Sequence, residues 1–210
     1  IIKIAEKKNK SYLQDLILIF DVTDLFTIDL SIKKNLNTNS NLNKAYELLL
    51  LEATQLINKY YHNYSLVHII LDQCIIDNVN FAELPLDKKK EITNLKVDFK
   101  ILCFPKTTIS SIKEGFLKNN LNVTNIFCTS YVKSLSYLSK LNLDNVAFLD
   151  IGRSRTSLMA YVKNKLKFIY SIPIGSFNIT KDISKIFNIS IEDAEKIKKS
   201  FNKSDTEFSY

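Results

Sequence analysis

Residues 146–151 form a short, nearly all-apolar run that closes on Asp150-Ile151-Gly152, and no other stretch limits the possible folds so strongly. A run of that length reads as a strand buried on both faces. A turn, Arg153-Ser154-Arg155, follows at once. Residues 156–162 and 166–172 then read as two strands, joined at Lys163-Asn164-Lys165 by a tight hairpin turn. A tight turn after a buried strand aims several backbone N–H groups into one concavity, which suits phosphate oxygens.

The series continues in order. Ile172-Pro173-Ile174-Gly175-Ser176 leads to Thr180-Lys181-Asp182-Ile183, where Thr180 is expected to cap a short helix. Ser190 and Asp193 give a capping-box-like start to a last helix through Ala194, Ile197 and Phe201. Each piece has a physical use. A carboxylate at a strand end, Asp150, can hold a magnesium ion through its waters. A glycine-bearing turn at Gly175 permits close approach of backbone to a ligand. Glu195 and Lys198 lie three apart on one helical face and can reach one ligand. Singly, each has a blander reading. Asp-Ile-Gly arises often by chance, and Glu195 with Lys198 is the pattern of a solvated surface pair. The order and spacing carry the inference.

Upstream, residues 4–14 look like the end of a helix, and 16–22 (LILIFDV) like a strand buried on both faces. Residues 26–33 alternate, with Phe26, Ile28, Leu30 and Ile32 on one side, as in a half-exposed strand. The Asn-rich tract 35–43 is a loop in which Ser40 or Asn41 can cap a helix. Leu42, Ala45, Leu49, Ala53, Leu56 and Tyr60 form that helix's apolar face. Residues 66–76 and 95–103 are strands separated by a charged connection, 78–93. Pro105 and Thr107 open a helix with Ile109, Ile112, Phe116 and Leu117 on its apolar face. Residues 123–127 are a short strand, and 130–140 a helix carrying Val132, Leu135 and Leu138. The chain therefore reads as mixed α and β, with a module of roughly residues 26–127 inserted between pieces of another.

The 210 residues are 46% hydrophobic and carry a net charge of +7. The lysines are scattered, and no basic cluster is interleaved with aromatics, so nucleic-acid binding is not expected. The abundance of Lys, Asn and Ile with little Gly suggests an AT-rich genome. Cys74, Cys103 and Cys128 are far apart in apolar segments and read as reduced, buried thiols rather than metal ligands. His68 in a strand reads as structural. Asp72 and Asp77, five apart, fall on opposite strand faces and make poor partners. With no initiator Met and a polar stretch ending at Tyr210, the chain reads as a fragment of a longer protein.

The ordered series resembles the actin, sugar kinase and Hsp70 superfamily, and within it FtsA-like chains. These carry a Val-Asp-Ile-Gly-Gly-Gly-Thr strand and loop, an Ile-Pro segment, a Thr-x-Asp-Ile helix start and an Ala-Glu-x-Ile-Lys helix. The matching stretches are 149–152, Ile172-Pro173, 180–183 and 194–198. Residues 68–77 and 112–126 continue the likeness upstream. PilM, a pilus-assembly family, shares the plan. The resemblance implies an α/β, actin-like (ribonuclease H-like) lobe with an inserted small α+β subdomain, incomplete at both ends. Residues 1–25 would end the first subdomain, 26–128 would be the insert, 129–145 a connecting helix, and 146–210 the start of the second subdomain. It further implies ATP and Mg2+ at Asp150, Gly152, Arg153, Ser154, Thr156, Gly175, Ser176, Glu195 and Lys198, with Asp150 holding the metal through water. It implies at most weak ATPase activity. Self-association, contacts with FtsZ and other division proteins, and membrane attachment through a segment outside this chain are implied as well, at the cytoplasmic face.

One departure stands out. Arg153 and Ser154 replace the second and third loop glycines, and a positive φ there would cost on the order of 1–2 kcal/mol per residue. Arg153 and Arg155 are the chain's only arginines. They either mark a degenerate loop or grip phosphate in place of lost backbone contacts. A third reading is a solvated loop. The competing function is an actin-fold scaffold, PilM-like, that assembles without nucleotide turnover.

Overall fold

A computed structural model describes residues 2–36, 41–85, 92–141 and 143–201. Ser40 as an alternative cap, the lysine run at 88–90 and the tail to Tyr210 lie outside the described residues. After α1 (Ile2–Asn9), β1 (Asp15–Phe20) pairs in parallel with β6 (Asn122–Cys128), from Asp15↔Asn122 to Phe20↔Cys128. Parallel neighbours need a crossover. Here that crossover holds a whole antiparallel sheet, ordered β2-β5-β3-β4, with β2 (Phe26–Asn35), β3 (Tyr64–Ile76), β4 (Val79–Phe81) and β5 (Asn94–Pro105). The strand β4 lies within the connection expected at 78–93. Asp77 and Asn78, at φ 47° and 69°, make the two-residue turn that forms the hairpin. The Asp77 carboxylate then accepts from the Thr93 and Asn94 amides at 3.1 and 2.8 Å, anchoring the start of β5.

β2 alternates as expected, apolar residues inward. Across it lies α2 (Leu42–Tyr60), capped by Asn41, whose Oδ1 accepts from the Asn43 and Lys44 amides. Its buried face is Leu42, Ala45, Leu49, Ala53 and Ile57, and Tyr60 is exposed instead of closing the stripe. In β5 the alternation gives way to burial on both faces from Phe99 to Phe104. The reason is tertiary: Leu102 and Phe104 face away from α2 and join a second core with Met159, Tyr161, Leu166 and Ile169. Lys100, in that stretch, is paired with Asp29 on β2.

The remaining elements are α3 (Lys106–Leu117), α4 (Thr129–Leu138), an antiparallel sheet of β7 (Asn145–Ile151), β8 (Thr156–Val162) and β9 (Lys165–Ile172), then α5 (Ser176–Phe187) and α6 (Ile191–Ser200). Lys163 and Asn164, at φ 50° and 60°, make the expected β8–β9 turn. Several helix faces differ from the apolar pattern. Leu117, Ile197 and Phe201 are exposed. On α4 the buried positions are Ser130, Ser134 and Leu138, because the serine hydroxyls find polar partners in the core. Ser134 sits 2.6 Å from the Tyr161 hydroxyl.

β1 and β7 were both expected to be buried on two faces. In each, alternate residues are exposed, namely Ile17, Ile19, Leu149 and Ile151. Each strand has one packed face, and among the described residues no layer covers the other. All three cysteines are free and buried, as expected.

Candidate functional site

The β7–β8 loop closes on itself through Gly152 N–H, which donates to the Arg155 carbonyl at 2.8 Å. No residue of the loop has positive φ, so Arg153 and Ser154 sit there without the backbone strain considered above. The glycine requirement falls instead on Gly175. A Cβ there would lie 2.6 Å from the Arg153 carbonyl carbon and oxygen and from the Arg155 nitrogen. That approach lets α5 begin against the loop. The Ser176 and Phe177 amides donate to the Gly152 and Arg153 carbonyls at 2.9 and 2.8 Å. Asn178 Oδ1 accepts from Gly175 N–H at 3.0 Å. The helix therefore starts at Ser176, and Thr180 is buried within it rather than capping it.

Thr180 has another use. Its hydroxyl donates to Glu195 Oε2 at 2.6 Å, and Lys198 Nζ donates to the same carboxylate at 2.7 Å and to the Ser176 carbonyl at 3.1 Å. The Lys198 and Thr180 hydrogen bonds hold the Glu195 carboxyl down to about 2. Ser190 caps α6 by accepting from Asp193 N–H, as expected. Thus Gly152, Arg153, Gly175, Ser176, Glu195 and Lys198 form one connected group, with Glu195 and Lys198 bonded to each other. Thr156 Oγ1 donates to the Ile174 carbonyl at 2.7 Å, tying β8 to the same turn. The Arg153 guanidinium lies 4.8 Å from the Phe177 ring centroid, and Lys181 Nζ is 5.1 Å from that same ring. Ser154 is exposed.

Asp150 and Arg155 point elsewhere. Asp150 Oδ2 is 3.4 Å from Lys133 Nζ on α4. Arg155 Nη2 donates to Asp21 Oδ2 at 2.5 Å. Asp21, Lys133 and Ser130 are site-lining residues that sequence reasoning passed over. Asp21 carried a usable signal: like Asp150, it is a carboxylate closing an apolar strand. It accepts from Ser130 N–H and Oγ at 3.1 and 2.6 Å and from Cys128 Sγ at 3.0 Å, at the first turn of α4. A negative charge is favoured at that helix end. Burial first, and then the Asp21 charge, pushes the Cys128 thiol far up, so it stays protonated.

Residues 147–208 match the family model "Cell division protein FtsA". FtsA of Bacillus subtilis is 30% identical over 151 residues, covering 71% of this chain and 33% of that protein. FtsA of Helicobacter pylori (strain 26695) is 28% identical over 107 residues, 50% of this chain and 22% of that protein. The chain thus spans a third or less of the length of these relatives. A solved PilM-PilN type IV pilus biogenesis complex shares the fold at 15% identity, with TM-score 0.55 over 93% of this chain and 53% of that one. The family model, the relatives and the shared architecture point the same way: the chain is similar in sequence to the cell division protein FtsA and shares the fold seen in the PilM-PilN complex.

Proposed function

We propose that the chain is the middle portion of an actin-like assembly factor of the bacterial septum. Residues 1–25 would end one subdomain, 26–128 form the inserted unit, 129–145 connect, and 146–210 open the second subdomain. The whole protein would link the FtsZ ring to the cytoplasmic membrane, assembling with copies of itself and with other division proteins at the cytoplasmic face. What supports this is the FtsA likeness of the loop-bearing segment.

The nucleotide expected at the loop is ATP with Mg2+. The residues suit it in chemical kind: a partly exposed carboxylate at Asp150, an exposed hydroxyl at Ser154 and an exposed guanidinium at Arg153. Asp150 would hold the metal through water, and Arg153 and Ser154 would meet phosphate oxygens. Bound metal would neutralise phosphate charge. The Gly152 and Ser176 amides donate within the loop, so side chains supply the contacts that backbone would give in a glycine-rich loop. The carrying observation is that the loop, the α5 start and the Glu195–Lys198 pair are hydrogen-bonded into one group.

The test is ATP binding by the full-length protein with and without magnesium, comparing wild type with Asp150→Ala. Magnesium-dependent binding lost in the variant supports the reading. If neither protein binds, the chain serves as a scaffold that assembles without nucleotide. That second reading is favoured by one observation, the engagement of Arg155 by Asp21.

A further inference from the structure

The Asp21 side chain is 3% exposed, yet its carboxylate gathers donors from two separate places. Ser130 and Cys128 come from the β6–α4 corner beside it. The fourth donor group, the Arg155 guanidinium, comes from the β7–β8 loop 134 positions away, through Nη2 at 2.5 Å and through Nη1 to the Asp21 carbonyl at 3.4 Å. At the other end of the β8–β9 hairpin, Lys165 Nζ donates to the carbonyls of Asp72 and Ala82, and Lys167 Nζ meets Asp72 Oδ1 at 2.6 Å. Met159, Tyr161, Leu166 and Ile169 pack between these ends.

The two ends are unequal. The Lys167–Asp72 pair is nearly half open to water on the lysine side, where such pairs contribute little. At Asp21, removing the partner leaves a buried, uncompensated charge. The closed arrangement also leaves a cost in place: Arg155 Nε is buried without a hydrogen-bond partner. Opening the loop from β1 would hydrate that nitrogen, so the carboxylate contact holds the loop against a standing tendency to part.

We infer that Asp21 and Arg155 form a latch that holds the β7–β8 loop closed on the β1–β6 pair without any nucleotide. The carboxylate occupies the guanidinium that a phosphate would otherwise attract. The lysine contacts at the hairpin tip act as the pivot about which the loop end swings. The latch needs no ligand, so it stands or falls separately from ATP binding.

The experiment uses the full-length protein with spin labels on cysteines introduced at Asn125 on β6 and Lys185 on α5, both exposed positions; the three cysteines of this chain are buried, and any outside it are replaced by serine. Wild type without nucleotide should give one narrow interlabel distance by double electron–electron resonance. Arg155→Gln should add a second, longer distance. The doubly neutral Asp21→Asn/Arg155→Gln protein removes the stranded charge and should show the same longer distance while keeping its fold. If Arg155→Gln unfolds, the double variant is read alone. A double variant that keeps the single wild-type distance overturns the latch and leaves a static ion pair. Added ATP with magnesium enters no arm, so a protein that fails to bind nucleotide can still pass or fail.

Discussion

The four-stranded and three-stranded sheets are both antiparallel, but they differ in what covers them. The β2–β5–β3–β4 sheet is sealed on one side by α2, where Leu49 and Ala53 are fully buried. Its other side meets the second core through Leu102 and Phe104. The β7–β8–β9 sheet is packed on its inner face by Met159, Tyr161 and Leu166. Its outer face carries the cross-strand row Leu149↔Leu158↔Tyr170, with Leu149 60% and Tyr170 58% exposed. Apolar residues on both faces of a strand record that two layers suit it; they do not say which part of a chain supplies each layer.

That contrast breaks most sharply at two leucines. Leu49→Ala should lower stability by about 2–5 kcal/mol in urea unfolding, since the cavity sits in a closed core. Leu149→Ala in the same chain should change it by under ~0.5 kcal/mol, as for other surface sites. Equal losses for the two in the full-length protein would mean that a further layer covers the outer face there.

A smaller effect is expected where the loop-bearing sheet is tightest. Gly175→Ala forces a Cβ into the backbone of residues 153 and 155 and should cost ~1–3 kcal/mol as overpacking. The variant should also lose amide-exchange protection at Ser176 and Phe177. Unchanged stability would show that the contact between α5 and the loop is loose.

A third effect is a pH dependence where β3 meets the end of β6. Burial lowers His68 from its ordinary 6.5 to about 4, and its Nε2 accepts from Cys128 N–H at 3.0 Å, which needs the nitrogen unprotonated. Below 6.5 the unfolded chain takes up a proton that folded His68 refuses until about 4. Stability should therefore rise with pH across that window and fall as the pH drops through it. His68→Gln should flatten this part of the profile in denaturation measured from pH 4 to 7. An unchanged slope would place the dependence on other groups.

Much of the fold was legible because its signals are local. Lys163-Asn164 specifies a hairpin by its backbone preference, and Asn41 and Ser190 specify helix starts by the amides they cap. Phe26, Ile28, Leu30 and Ile32 name one face of β2 by alternation alone. The candidate site was legible as a place rather than as a set of contacts. Gly152, Gly175, Ser176, Glu195 and Lys198 do come together, but Glu195 and Lys198 bond to each other and to Thr180. Gly175 is needed for helix-to-loop packing, a close approach that spacing does not reveal. The serine face of α4 was illegible because Ser130 and Ser134 are buried only by virtue of Asp21 and Tyr161, far away in the chain.

The sequence by itself determined most of the strand and helix order, the hairpin turn at Lys163-Asn164 and the FtsA-like series that begins at Asp150-Ile151-Gly152. Those follow from backbone preferences and periodicity, which act over a few residues. The tertiary structure alone decided what the two arginines do. Arg153 turns to the Phe177 ring and Arg155 to Asp21, although they are two positions apart in one loop. A guanidinium goes to whichever acceptor the packed chain brings within reach, and a buried carboxylate 134 residues away becomes a neighbour only once the sheets have met.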